Sequence, residues 1–153
     1  MKKTNKLMFI ITTLLALISL TACSILKAPL TQTRTLEGSE RDSVLAYADS
    51  KGENLISGMV GGDYATFSTD FDATMKQGMD ENAFTDLLAT FASKLGQYQS
   101  HEVNAVLQDE NYSTVVYRLN YEKDNRVTMR VVFNNTEDHN ISGLWFDSPE
   151  LRK

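Results

Sequence analysis

Hydrophobic residues along this chain follow three patterns in turn: one continuous run, then helical spacing, then alternation. The continuous run covers residues 7–20 and is broken only by Thr12, Thr13 and Ser19. A bilayer core about 30 Å thick needs about 20 apolar residues, so this run is short for a membrane span. Lysines precede it, which is the arrangement of a secretory signal peptide rather than of a folded element.

Helical spacing begins at about residue 39. The string from Ser39 to Asp42 resembles a capping box, with Asp in place of the usual Glu or Gln. Apolar residues then recur every three to four positions as far as Gly61-Gly62, where a helix is expected to stop. The pattern therefore predicts one long helix over residues 39–60.

Two short helical segments and one well-marked helix are predicted next. Asp63 can cap a short helix, and a further turn is expected to end near Gly78. The clearest helix is predicted over residues 80–95, because Asp80 can cap it and Gly96 can end it. Its apolar positions form a single stripe made of Phe84, Leu87, Leu88, Phe91, Ala92 and Leu95.

Beyond Gly96 the spacing changes from helical to alternating, which predicts four strands, over residues 98–107, 112–121, 127–134 and 141–146. In the first strand, Val103, Ala105 and Leu107 are expected on one face, with His101 on the same parity. Links of hairpin length indicate an antiparallel meander, and the helices must cover its apolar face. The predicted fold class is α+β, with N-terminal helices packed on a curved four-stranded antiparallel sheet.

Cys23 is the only cysteine of the chain and follows the apolar run. The string Leu20-Thr21-Ala22-Cys23 resembles the lipobox of bacterial lipoproteins, in which an aliphatic residue and two small ones precede the lipidated cysteine. We expect cleavage before Cys23, lipid on its thiol, and anchoring at the extracytoplasmic face of the cell membrane. The leader suits a Gram-positive bacterium. The alternative is a plain secretory signal that contains a cysteine by chance.

The sequence thus divides into a signal peptide (1–22), a lipidated cysteine with a flexible tether (23–38), a folded domain (39–148) and a tail (149–153). Three of the 15 basic residues and none of the 20 acidic ones precede Cys23, so the mature part carries a net charge near −8. That charge argues against a nucleic-acid partner and against electrostatic adhesion to anionic lipid. The membrane is expected as a partner through the lipid anchor.

Several local strings resemble one prokaryotic family. They are Gly61-Gly62-Asp63-Tyr64-Ala65, Phe71-Asp72-Ala73-Thr74-Met75-Lys76, Leu95-Gly96 and Ile141-Ser142-Gly143-Leu144-Trp145-Phe146. Together they are similar to the family called domain of unknown function 3887, over roughly residues 42–146. The resemblance implies the cone of the nuclear-transport-factor-2-like superfamily, a bent sheet wrapped around helices. These motifs are structural, so they imply a fold and almost nothing about chemistry.

Candidate catalytic residues are few. His101 lies in the first predicted strand, where a hydrogen-bonded structural histidine is the ordinary alternative to a base. His139 is expected in a solvated turn. Asp63, Asp72 and Asp80 each have a structural role as helix caps. No catalytic set and no cofactor is therefore predicted.

No metal site is predicted either. Asp70, Asp72 and Glu81 echo three positions of a calcium loop, but Met75 occupies the position that requires glycine. Two distant histidines and one lipidated cysteine do not provide the clustered ligands of a zinc site.

Four aromatic residues are candidates for lining a pocket between helices and sheet, because tyrosine and tryptophan keep a polar group on an apolar body. Core packing is the alternative role for each of them. The four candidates are Tyr64, Tyr117, Tyr121 and Trp145.

Two functions remain open at this point. The first is a non-catalytic module that binds a small ligand, a peptide or a partner protein. The second is a small isomerase or lyase that uses His101 or a buried Asp as its base. A homodimer is also expected through the polar outer face of the sheet, which carries Thr114, Arg118, Thr128 and Arg130.

Overall fold

The computed structural model describes residues 32–153. The predicted signal peptide, Cys23 and most of the predicted tether lie outside the described residues. The elements in chain order are β1 (Arg34–Thr35), α1 (Gly38–Gly61), α2 (Tyr64–Phe67), α3 (Ala73–Gly78), α4 (Glu81–Lys94), β2 (Tyr98–Gln108), β3 (Tyr112–Tyr121), β4 (Val127–Asn134) and β5 (Ile141–Asp147).

The strands form one antiparallel sheet of five strands in the order β1-β2-β3-β4-β5. The α+β class is confirmed, whereas the prediction of four strands is wrong. The additional strand, β1, comes from the end of the segment predicted as a flexible tether. It pairs with Leu107 and Gln108, and Leu36 after it is buried. Alternation cannot predict this strand, because two residues are too few to show a period.

Helix α1 begins close to its predicted start but without the predicted capping box. Its N-cap is Glu37, whose side chain makes no capping hydrogen bond, so Ser39 lies inside the first turn. The predicted stop is confirmed. Gly62 adopts a left-handed conformation with φ of 67°, and its N–H donates to the carbonyls of Gly58 and Met59.

Asp63, Asp72 and Asp80 cap the three later helices, as predicted. Each carboxylate accepts hydrogen bonds from backbone N–H groups of the first turn that have no partner inside the helix. A hydrogen bond from the Thr66 side chain is the main cause that lowers the pKa of Asp63. The N–H of Met75 is the main cause that lowers the pKa of Asp72. The three carboxylates therefore serve the fold.

A β-bulge in β2 changes which of its side chains face the helices. The register between β2 and β3 shifts by one residue between Val103 and Ala105. As a result Val106 is fully buried, while Ala105 and Leu107 are only partly covered. The prediction that Val103, Ala105 and Leu107 share one face is wrong, because an inserted residue reverses the parity beyond it.

A second irregularity, between β4 and β5, places Trp145 on the outer face of the sheet. The register shifts beside Phe133, so Leu144 and Phe146 pack against the core while Trp145 is 57% exposed. Its ring covers Gly143, where an added Cβ would collide with the indole. The prediction that Trp145 lines a space between helices and sheet is therefore wrong.

The helices cover the inner face of the sheet and enclose one hydrophobic core, as predicted. Its largest fully buried side chains come from both layers, and they include Leu55, Phe67 and Leu95 from the helical half and Leu119, Met129, Phe133 and Ile141 from the sheet. Among the helices of residues 32–153, none combines the length and the apolar character that crossing a bilayer requires.

Candidate functional site

A cavity of about 260 Å³ lies between α1 and β2, and we call it the polar pocket. Two of its acidic side chains stand four residues apart on α1, which places them on one face of the helix. The pocket opens to solvent, because the side chain of Glu53 is 61% exposed. The residues that line it are Asp49, Glu53, His101, Glu102, Val103 and Tyr117.

His101 is held in this pocket through both of its ring nitrogens. Its Nδ1 lies 2.7 Å from the hydroxyl oxygen of Tyr98, and its Nε2 lies 3.1 Å from Oε1 of Glu53. In the neutral ring one nitrogen donates and the other accepts, so Tyr98 can donate to Nδ1 while Nε2 donates to Glu53. The two contacts fix the orientation of the imidazole.

The hydroxyl of Tyr117 is the unusual group of the pocket. Tyr117 is 2% exposed, and its hydroxyl has no hydrogen-bond partner within the described part of the chain. Burial raises the pKa of Tyr117 above its ordinary value, and the carboxylates of Asp49 and Glu53 raise it further. The phenol therefore stays protonated. A buried polar group without a partner costs about 1–3 kcal/mol, so this hydroxyl is better satisfied when another polar group reaches it.

Gly52 allows α1 to approach the sheet closely enough to form the pocket. It lies in the interior of α1, where glycine is less favourable than alanine by about 1 kcal/mol. A Cβ at this position would collide with the hydroxyl of Tyr117. The glycine between Asp49 and Glu53 therefore brings both carboxylates close to the phenol.

A second cavity, of about 380 Å³, adjoins the polar pocket, and we call it the apolar groove. Burial raises the pKa of Tyr121 in its wall to about 12, with a smaller effect of Tyr98, so this phenol is also neutral. Tyr98 belongs to the groove and contacts His101 in the polar pocket, which makes the two cavities neighbours. The main lining residues are Met59, Val60, Leu88, Phe91, Tyr98 and Tyr121.

The structure does not bring the four predicted pocket residues together. Tyr117 lines the polar pocket and Tyr121 lines the apolar groove. Tyr64 donates its hydroxyl hydrogen to the carbonyl oxygen of Met79 at 2.9 Å, which is a structural tie between helices. Trp145 lies on the opposite side of the sheet.

Sequence reasoning missed Asp49, Glu53 and Tyr98 as members of the site. One sequence feature could have indicated the two acidic residues. Two acidic residues at helical spacing flank an interior glycine, and a glycine in the middle of a long helix usually marks a close approach.

His139 lies in the turn before β5, where it was predicted, but it is not simply solvated. Its ring stacks on that of Tyr47 with centroids 3.8 Å apart and planes within 9°. Its backbone has φ of 44°, and Nδ1 lies 3.2 Å from the carbonyl oxygen of Asn134. The ring therefore helps to hold this turn against α1.

The acidic residues that echo a calcium loop are used in other contacts. Asp70 lies 3.4 Å from Nζ of Lys51 and accepts a hydrogen bond from Asn54, and Asp72 caps α3. Within residues 32–153, no group of three or more His, Cys, Asp or Glu side chains has an arrangement that could hold a metal ion.

Residues 52–144 match the family described as protein of unknown function (DUF3887). The chain belongs to the DUF3887 family. The resemblance inferred from local strings is thereby confirmed. The matched range contains every lining residue of the polar pocket except Asp49, which lies just before it. No curated protein and no solved structure matches the chain.

In this DUF3887 protein, the change Tyr117→Phe is expected to leave the free energy of unfolding unchanged or to raise it. The reason is that the substitution removes a buried hydroxyl without a partner. The matched change Tyr64→Phe removes a hydroxyl that donates to Met79 and is expected to cost about 1 kcal/mol. Urea unfolding followed by circular dichroism measures both. An equal loss in the two variants would mean that the Tyr117 hydroxyl has a partner in solution.

Proposed function

We propose that this protein is a lipid-anchored, extracytoplasmic binding module whose polar pocket captures a cationic group of its ligand. The observation that carries the proposal is the hydroxyl of Tyr117, buried without a partner in a pocket that also holds Asp49 and Glu53. The phenol oxygen and the two carboxylates are acceptors, whereas an ammonium or guanidinium group brings only donors. The neighbouring aromatic rings add a favourable contact for a cation.

The geometry favours binding over catalysis by His101. A general base needs a free nitrogen lone pair within hydrogen-bond reach of the substrate proton. Here Nδ1 already contacts Tyr98 at 2.7 Å and Nε2 contacts Glu53 at 3.1 Å. An isomerase or lyase reaction with His101 as its base would first have to break one of these contacts. Capture of a cation by the carboxylates of Asp49 and Glu53 needs no free lone pair on the imidazole.

The cone of the nuclear-transport-factor-2-like superfamily is part of the proposal. It is supported by membership of the DUF3887 family and by helices that cover one face of an antiparallel sheet with two bulges in β2. Bulges increase the local twist and bend of a sheet, which is what a cone requires.

The outer face of the sheet supports a homodimer. Thr114, Arg118, Thr128 and Arg130 alternate with buried residues and so lie on this face. One cross-strand row on it joins Ala105, Val116, Arg130 and Trp145. An exposed tryptophan beside an arginine has the composition of an interface hot spot. Two copies related by a twofold axis would bury the same row on each chain.

The chain without residues 1–23 is expected to have the molar mass of two chains by light scattering. Trp145→Ala should reduce it to one chain, because the substitution removes the largest exposed side chain of the row. The control is Val60→Ala on α1, since Val60 is also 57% exposed but lies away from this face. A single-chain mass before any substitution would refute the dimer.

The polar pocket is expected to bind Nα-acetyl-lysine amide and to reject the corresponding glutamate compound. Glu53→Gln should weaken lysine amide binding up to about fivefold, because an ion pair at an exposed carboxylate is worth about 0.2–1 kcal/mol. Glu81→Gln on α4 makes the same change in net charge outside the pocket and serves as the control. Titration calorimetry in detergent measures the affinity for the lysine compound of the original full-length chain and of the two variants. Equal affinities in the two variants would contradict a site at Glu53.

Cys23→Ser is expected to abolish lipid attachment and signal cleavage, because serine lacks the thiol that forms the thioether. Metabolic labelling with palmitate should label only the original chain. The variant should keep residues 1–22 and lack the lipid, so its mass should differ from that of the processed chain by the mass of residues 1–22 minus the mass of the lipid. Normal cleavage and labelling in the variant would overturn the lipid anchor. Two acyl chains on one thiol suffice for stable anchoring.

A further inference from the structure

The polar pocket and the apolar groove lie on one seam between α1 and the edge of the sheet. Asp49 lies with Val103 in the polar pocket, and Gly62 lies with Gln97 in the apolar groove, so α1 runs antiparallel to β2 along the seam. The 13 residues of α1 between these points span about 20 Å. The six residues of β2 span about the same length. The seam is therefore long enough for an extended segment of about six residues.

Within residues 32–153, the edge of β2 along this seam has no strand partner over most of its length. β1 pairs with β2 only at Leu107 and Gln108, and the N–H of Leu36 donates to the carbonyl of Val106. From Tyr98 to Ala105, the backbone groups on that side make no hydrogen bond with another described backbone group. β1 already adds to one end of this edge, so the remainder has the geometry to accept a strand in line with it.

Two bulges limit what this edge can bind. The register of β2 shifts between Tyr98 and Ser100 and again between Val103 and Ala105, which leaves a regular stretch at residues 100–103. Bulges and charged side chains on an edge strand oppose pairing between long strands of two copies. A short peptide needs only the regular stretch. The edge therefore favours a short segment over a second copy of this chain.

The described end of the predicted tether, Gln32 and Thr33, leads away from the seam. β1 is antiparallel to β2, and Arg34 pairs with Gln108. Thr33 and Gln32 therefore precede β1 at the Gln108 end, on the side away from residues 100–103. The acidic side chains of the polar pocket favour a separate peptide that carries a basic side chain.

The side chains along the seam indicate which residue types a bound peptide should carry. His101 and Val103 face α1, because their partners in β3 are the buried Leu119 and Tyr117. A strand added at the edge would place every second side chain beside them. One such side chain would reach the carboxylates of Asp49 and Glu53. Another side chain of the same parity would reach the apolar groove. Among the described residues, Asp49 has no basic partner, and Glu53 pairs only with His101.

We propose that residues 100–103 of β2 bind a short extended peptide as an added strand, with a lysine or arginine side chain in the polar pocket and an apolar side chain in the apolar groove. This inference rests on the proposed function, because it assigns the captured cation to a peptide. Backbone pairing with β2 supplies affinity, and the two cavities select alternate side chains.

The probe is the labelled peptide acetyl-Thr-Leu-Thr-Lys-Thr-Leu-Thr-amide, in which leucine flanks lysine at a distance of two residues on both sides. This symmetry makes the test independent of strand direction. Fluorescence anisotropy with the full-length chain in detergent should give binding at least tenfold tighter than that of Nα-acetyl-lysine amide. Two further peptides carry N-methyl groups on the even or on the odd backbone amides. Only one set of amides faces β2 in an added strand, so only one of the two methylated peptides should bind tenfold or more weakly than the unmethylated peptide.

Each outcome is decisive. Retained binding of both methylated peptides, or equal loss in both, would overturn strand addition. If the labelled peptide bound no more tightly than lysine amide, and lysine amide binding still depended on Glu53, the proposed cation pocket would stand and the proposed peptide would be refuted. If neither the amide nor the peptide bound, both proposals would fall. Replacing the lysine of the peptide by glutamate should abolish binding, and Glu53→Gln should weaken it while Glu81→Gln does not.

Discussion

The close contact between α1 and β3 at Gly52 and Tyr117 is the feature on which the rest of the site depends. A second glycine, Gly58, also allows a close contact of α1, in this case with α2, because a Cβ there would collide with the backbone of Phe67. Each glycine lowers helix propensity by about 1 kcal/mol relative to alanine, so α1 is shaped by its contacts rather than by its intrinsic preference. As a result, α1 packs close to the sheet, and Asp49 and Glu53 lie beside the edge of β2.

The bulges of β2 complement that contact from the other side. The bulge between Val103 and Ala105 lets His101, Val103 and the fully buried Val106 all face the helices. In an unbroken strand, Val106 would share the parity of the solvent-facing residues if His101 and Val103 faced inward. The strand thus serves two purposes: its C-terminal part completes the core, and its N-terminal part presents His101 to the carboxylates of α1.

Much of the fold could be predicted from local patterns, because its long elements have clear periods and strong stop signals. The helix after Asp80 and the stop at Gly62 are examples. What could not be predicted depends on register: the two-residue β1, the bulge after Val103, and the outward position of Trp145. The site follows the same division. His101 and Tyr117 are conspicuous by residue type, whereas Asp49 and Glu53 become part of a site only because α1 crosses the sheet where it does.

The chemistry of the polar pocket sets the sign of the charge that it can accept. The raised pKa of Tyr117 keeps its phenol neutral, so the hydroxyl cannot supply an anion of its own. Carboxylates at Asp49 and Glu53 repel an anionic ligand, and the net charge of −5 on the chain attracts a cation from a distance. A cation at Glu53 also competes with Nε2 of His101 for the same carboxylate. His101 also contacts Tyr98 in the wall of the apolar groove, so a displacement of the histidine by that cation would extend to the neighbouring cavity. In the proposed function the two cavities therefore form one recognition surface, with His101 between them.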